Sequence, residues 1–198
     1  MSSQFSVRSA YKAREILGKE GPQIENRSMI WKSIWMAKVV PKVRIFMWRL
    51  IHNIVPTVQN LRGKGLQLVN RCCVCDQEGE STFHVMFECK RNCIIWGRVY
   101  PRVIELLQRA DVGDFWQGLF QQLHRDNSLE LFCIICWLIW TNRNRSFHDS
   151  ICYSPGKIIR SAKFLNNEYI QTTKNEESKI GKLILFGLHP LRGVETQH

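Results

Sequence analysis

The stretch Cys72-Cys73-Val74-Cys75-Asp76-Gln77-Glu78-Gly79-Glu80-Ser81-Thr82-Phe83-His84-Val85-Met86-Phe87-Glu88-Cys89 decides how this chain is read. Within it Cys72, Cys75, His84 and Cys89 put three thiols and one imidazole inside eighteen residues. That is the donor set and count of a tetrahedral structural zinc site. The C-x2-C step brings two sulfurs to one ion from a single turn, and the following loop returns His84 and Cys89 to close the shell. Four protein ligands leave no position for water, so such a site is structural rather than catalytic. The competing reading takes the same cysteines as small buried hydrophobes.

The remaining cysteines are weighed against this set. Cys73 lies between the paired thiols and is expected to point away from their ion. Cys93 follows Cys89 by four residues and would be the substitute ligand on a shared helix face. Cys133 and Cys136 repeat C-x2-C inside an apolar run with no histidine nearby, which reads as core. Met1 to Ala10 lacks the apolar stretch of a secretory signal. Without secretion, metal binding accounts better than disulfides for clustered thiols, and an intracellular compartment, nucleus or cytoplasm, is expected. The longest apolar run, Leu131 to Trp140, is about half the length of a membrane span and reads as a buried helix.

Charge points to an anionic partner. The 198-residue chain has a formal net charge of +11 and 44% hydrophobic residues, including seven tryptophans. From Asn26 to Cys75 there is no acidic residue, while Arg27, Lys32, Lys38, Lys42, Arg44, Arg49, Arg62, Lys64 and Arg71 all fall there. Nucleic acid is the usual partner of such a balance; an acidic protein is the other. Phosphate contacts are expected from Lys38, Lys42, Arg44, Arg49, Arg62, Lys64 and Arg71. Among the aromatic residues, Trp35, Phe46 and Trp48 are expected in the core and Trp31 at the surface. His52 reads as a satisfied polar residue near a helix end, and Arg143 and Arg145 as the solvent edge of a buried helix.

Apolar spacing makes the chain mainly α, with a small helical domain, a zinc loop and a helical extension. Helices are expected over Ser6–Leu17, Ile30–Met36, Val43–His52 and Val58–Gly63, the last capped by Thr57. Ser81-Thr82 caps a helix carrying His84 towards Cys89. Further helices are expected over Cys93–Tyr100, Val103–Leu107, Phe115–Leu123, Leu129–Trp140 with Ser128 as its cap, and Lys157–Thr172. The expected division is a zinc-binding domain at 1–100, a helical extension at 101–172 and a disordered tail at 173–198.

Several of these segments resemble a known family. Trp31-Lys32-Ser33-Ile34-Trp35, Val40-Pro41-Lys42-Val43-Arg44-Ile45-Phe46-Met47-Trp48-Arg49, His52-Asn53-Ile54-Val55-Pro56-Thr57 and Asn60-Leu61 are similar to the zinc-binding domain that follows the reverse transcriptase of plant non-LTR retrotransposons. So are Arg71-Cys72-Cys73-Val74-Cys75 and Glu80-Ser81-Thr82-Phe83-His84-Val85-Met86-Phe87-Glu88-Cys89, with Trp96 behind them. The resemblance covers about residues 5–97. It implies zinc ligands at Cys72, Cys75, His84 and Cys89, the four that spacing also selects. Cys73 departs from it, since the family usually carries proline there, and that loss is expected to loosen the turn. Ile139-Trp140-Thr141-Asn142-Arg143-Asn144 resembles the linker into a ribonuclease H-like domain, yet no spaced carboxylates for a two-metal nuclease follow it. No paired-aspartate polymerase motif precedes the zinc segment. The expectation is a non-catalytic zinc module from a retroelement that binds RNA or DNA. A protein-interaction module with structural zinc, or a relic without selected function, are the alternatives.

Overall fold

The computed structural model describes residues 27–77, 79–109 and 112–185; the helix expected over Ser6–Leu17 lies outside them. The described residues are mainly helical and form no strand. In chain order the helices are α1 (Arg27–Met36), α2 (Pro41–Ile51), α3 (Val58–Arg62), α4 (Lys90–Val99), α5 (Pro101–Arg109), α6 (Val112–Arg125), α7 (Leu129–Asp149) and α8 (Pro155–Leu185). A π-helical turn, His84–Glu88, precedes α4.

Most differences from the expected boundaries have local causes. Helix α2 starts at Pro41, two residues before the expected Val43, because a helix's first residues need no amide donor. Thr57 caps α3 as expected, its hydroxyl accepting the Asn60 N–H at 3.3 Å. Ser128 stands at the start of α7 but makes no side-chain cap. Its carbonyl instead takes the Tyr100 hydroxyl at 3.0 Å. Beyond Trp140, α7 runs through Thr141-Asn142-Arg143-Asn144-Arg145 to Asp149 and stops at Ser150 in the left-handed region, φ 56°. The last helix continues to Leu185, so the part of the expected disordered tail from 173 to 185 is helical.

The apolar stripes of these helices converge on α7. Its residues Phe132, Cys133, Ile135, Cys136 and Ile139 are each at most 1% exposed. Around them pack Ile30 and Ile34 of α1, Met47 and Leu50 of α2, Trp96 of α4, Phe115 and Phe120 of α6, and Ile158 and Ala162 of α8. Cys133 and Cys136 are core residues, as expected. One hydrophobic cluster thus joins described residues from both sides of position 100. Aromatic rings dominate this core: Phe87 meets Phe115 at 4.9 Å and Trp96 at 5.7 Å, and Trp96 meets Phe132 at 5.2 Å. Each such ring contributes about 1.5–3 kcal/mol by burial.

Two tryptophan expectations exchange places. Trp31 is half-buried and stacks on the His52 ring at 4.7 Å with an 11° interplanar angle. Trp35 is 47% exposed. Helical spacing identifies neither outcome: the two positions lie four residues apart on one face of α1, and the residues that pack on each decide its exposure. Phe46 is buried and Trp48 half-buried, the latter also against His52 at 4.7 Å. His52 is satisfied locally, its Nδ1 2.9 Å from the Trp48 carbonyl.

Candidate metal centre

Two short backbone devices bring the four predicted donors together. The first is the loop at Cys72–Gly79. The Cys72 N–H donates to the Gln77 carbonyl and the Asp76 N–H to the Cys72 carbonyl, both at 2.8 Å. Asp76 (φ 60°) and Gly79 (φ 84°) are left-handed, and they fold the chain back on itself. Gly79 donates to the Asn70 carbonyl at 2.9 Å, and the Asn70 side chain accepts the Glu80 N–H at 3.1 Å.

The second device is the π-helical turn. Ser81 starts it, its hydroxyl accepting the His84 N–H at 2.8 Å. The wider turn joins the Cys89 N–H to the His84 carbonyl at 2.8 Å, so His84 and Cys89 meet one residue later than an α-turn would allow. A π-turn frees carbonyls from the usual ladder, and buried ones require partners. Helix α4 supplies all three. Asn92 Nδ2 donates to Val85 O at 2.7 Å, Trp96 Nε1 to Met86 O at 2.6 Å, and Cys93 Sγ to Phe87 O at 3.0 Å. Cys93 is therefore committed to this carbonyl and stands outside the donor cluster.

The ligand atoms of Cys72, Cys75, His84 and Cys89 all lie within 4.8 Å of one another. Cys75 Sγ and His84 Nε2 are 3.3 Å apart. A tetrahedral zinc with ordinary bond lengths sets donor–donor edges of about 3.5–3.8 Å, so the cluster has the size the ion needs. Cys72 and Cys89 are fully buried, His84 is 7% exposed, and Cys75 forms the half-exposed edge.

The electrostatics of the bare cluster agree with the donor chemistry. The Cys72 thiol is pulled down to about 3, chiefly by a hydrogen bond from Cys89 and further by His84, against the opposing effect of burial. Cys89, which donates to that thiolate, is pushed up, as is Cys75 by burial. His84 is raised by its hydrogen bond to Cys72. Packed this closely, several thiolates repel one another, and a divalent cation among them relieves that repulsion. The residues present therefore fit a divalent zinc.

Cys73 points away from the cluster, as expected. Its Sγ lies 3.5 Å from the Arg143 carbonyl, and Ser146 Oγ donates to the Cys73 carbonyl at 2.9 Å. Burial pushes this thiol up to about 11. The loosening expected from the missing proline is countered by this anchorage to α7. Cys152, between α7 and α8, also packs against the Cys72–Cys89 cluster, and nothing in its sequence surroundings signals that.

A buried ion pair that local sequence does not signal lies behind the loop. Glu80, in the polar run Asp76-Gln77-Glu78-Gly79-Glu80, is fully buried, and Arg143, expected at the solvent edge of a buried helix, is 3% exposed. Arg143 Nε reaches Glu80 Oε1 at 3.1 Å and Oε2 at 3.2 Å, and Nη2 makes a further bond to Oε1. Glu80 Oε1 also accepts the Val58 N–H at 3.0 Å, where α3 begins.

The seven residues expected to contact phosphate divide by surroundings. Lys38, Lys42, Arg49, Arg62, Lys64 and Arg71 are exposed, and Arg44 is half-buried. Arg44 Nη1 donates to the Trp35 carbonyl at 3.1 Å, Lys42 lies 4.5 Å over the Trp137 ring, and Arg71 pairs with Asp76 at 3.1 Å.

Residues 5–96 match a family described as zinc-binding in reverse transcriptase. The chain is also 31% identical, over 148 residues, to a protein of Arabidopsis thaliana named as a candidate ribonuclease H protein. That alignment takes in 69% of this chain and 22% of the relative, so the chain spans about a fifth of that protein's length. No solved structure matches.

Proposed function

We propose that residues 5–96, a zinc-binding domain of the reverse-transcriptase type, hold one zinc ion through Cys72, Cys75, His84 and Cys89, and that the chain binds RNA or DNA without catalysing a reaction on it. The observation that carries this reading is a closed, four-donor, mostly buried cluster next to a segment with no acidic residue from Asn26 to Cys75. Zinc here would supply folding free energy by tying the Cys72–Gly79 loop to the π-turn, as structural zinc does in small domains. A full shell gives the ion no open position, so its chemistry is cohesion.

The polynucleotide is held by charge. Lys38, Lys42, Arg44, Arg49, Arg62, Lys64 and Arg71 are the proposed phosphate contacts, and affinity gained this way falls steeply with salt. Among the described residues no helix is long and apolar enough to cross a membrane.

Zinc content and polynucleotide affinity of the purified protein test the reading together. The expected result is one zinc per chain, lost in Cys75→Ser and His84→Ala, with RNA or DNA binding that weakens steeply as salt rises. A zinc-free folded protein would overturn the metal assignment. Binding to polyglutamate but not to nucleic acid would reassign the basic surface to an acidic protein.

A further inference from the structure

The corner between α1 and α2 carries an exposed apolar patch that the zinc site does not explain. Trp35 is 47% exposed, Met36 73%, Val40 37% and Ile45 45%. Large apolar side chains grouped in this way mark interaction surfaces. Their neighbours are cationic. On α1, Lys32, Trp35 and Met36 follow i, i+3, i+4 spacing and share one face; on α2, Lys42, Ile45 and Arg49 share another at i, i+3, i+7. The bond from Arg44 to the Trp35 carbonyl brings the two helices together at this corner. The nearby carboxylate is Glu130, which accepts the Lys38 N–H at 3.1 Å.

The same α1 face borders a cleft of about 850 Å³, lined by Lys32 and Met36 on one side and by His124 and Arg125 of α6 on the other. On its wall, Ser33 Oγ and His124 Nε2 are 2.6 Å apart, and Ser33 also donates to the Met29 carbonyl at 2.7 Å. The cleft therefore has an apolar lining and cationic rims.

We propose that this corner is a single-strand platform: an unpaired stretch of RNA or DNA stacks a base on Trp35, with adjacent phosphates at Lys32, Arg44 and Arg125. A single strand offers unpaired planar bases and phosphates at every nucleotide, whereas a duplex hides its base faces and a polyglutamate-like acidic peptide carries charge without rings. The proposal rests on the nucleic-acid reading given above and adds the strandedness and the surface. It places that surface away from the metal. Glu130, beside the platform, and Arg143, beside the zinc loop, are thirteen residues apart on α7, about 20 Å at the α-helical rise.

Anisotropy with labelled oligo-U, oligo-dT and the corresponding duplexes tests it, using the zinc-loaded full chain. Trp35→Ala, at an exposed position, is compared with Phe164→Ala, an aromatic residue 63% exposed on α8. The expected result is about tenfold weaker single-strand binding for Trp35→Ala, with duplex binding and the Phe164→Ala protein within about twofold of wild type. Salt-dependent wild-type binding that Trp35→Ala leaves intact would overturn the platform and leave the broader nucleic-acid reading standing. Failure of the wild type to bind any polynucleotide would overturn both. Polyglutamate binding with the same dependence on Trp35 would assign the corner to an acidic polypeptide instead.

Discussion

Glu80 and Arg143 are sixty-three residues apart in the chain and form a buried, forked ion pair behind the metal-ligand loop. The carboxylate also receives the first amide of α3, so one side chain ties the loop, α3 and α7 together. Arg143 in turn lies over the Phe147 ring at 4.7 Å and the Trp140 ring at 5.2 Å. The segment that resembles an interdomain linker is, at this residue, an internal part of the zinc-binding unit.

Removing one partner strands the other charge in the interior. Arg143→Ala and Glu80→Gln are each expected to lower stability by about 3–5 kcal/mol, measured by urea unfolding of the zinc-loaded protein. The double variant Glu80→Gln/Arg143→Met should lose less than the sum of the two single changes. Additive losses would mean that the pair is not energetically coupled.

Metal removal should separate ligands from bystanders. Chelation, Cys75→Ser and His84→Ala are each expected to release zinc and reduce helical circular dichroism. Cys93→Ser should keep one zinc per chain, because that sulfur serves the Phe87 carbonyl. Zinc loss in Cys93→Ser would place this thiol in the shell after all.

Zinc affinity should fall as pH falls. Cys75 and Cys89 are raised above the ordinary thiol range, so near neutral pH these two sites hold protons that zinc must displace, and His84 is shifted in the same direction. Cys72, already a thiolate, releases none. Affinity should therefore change by about tenfold per pH unit for each proton released, strengthening from pH 6 to pH 8. Competition with a chromophoric chelator across that range measures it, and a flat profile would contradict the proton count.

The π-turn depends on α4 as a source of donors. Asn92→Ala leaves the buried Val85 carbonyl without its 2.7 Å partner, and about 1–3 kcal/mol of stability should be lost. Replacing an exposed residue of the same helix, as in Arg91→Ala, should cost within about 0.5 kcal/mol. Equal effects from the two would show that the carbonyl finds another partner.

Much of this protein can be read from local pattern. The four donors are visible because a metal constrains residue type and short spacing together, and the loop and turn that join them are nearly contiguous in the chain. Thr57 and Ser81 are legible as caps for the same reason, since a cap and the amide it serves lie within three residues. The mainly helical class follows from apolar periodicity. Helix ends were less legible, as α7 shows: its exit residues are polar in sequence, yet packing against the zinc loop carries the helix to Asp149.

What only the tertiary structure decided is the fate of residues whose environment comes from far along the chain. Glu80 in a run of polar residues and Arg143 in a basic one both look solvent-bound, and only the approach of α7 to the loop makes burial of either charge affordable. Trp31 and Trp35 carry the same side chain four residues apart, and the position of α2 settles which is stacked on His52 and which is left to solvent. Short-range spacing specifies chemistry that neighbours can complete. A buried charge or an exposed indole depends on a partner, or on its absence, that comes into being only when distant segments pack.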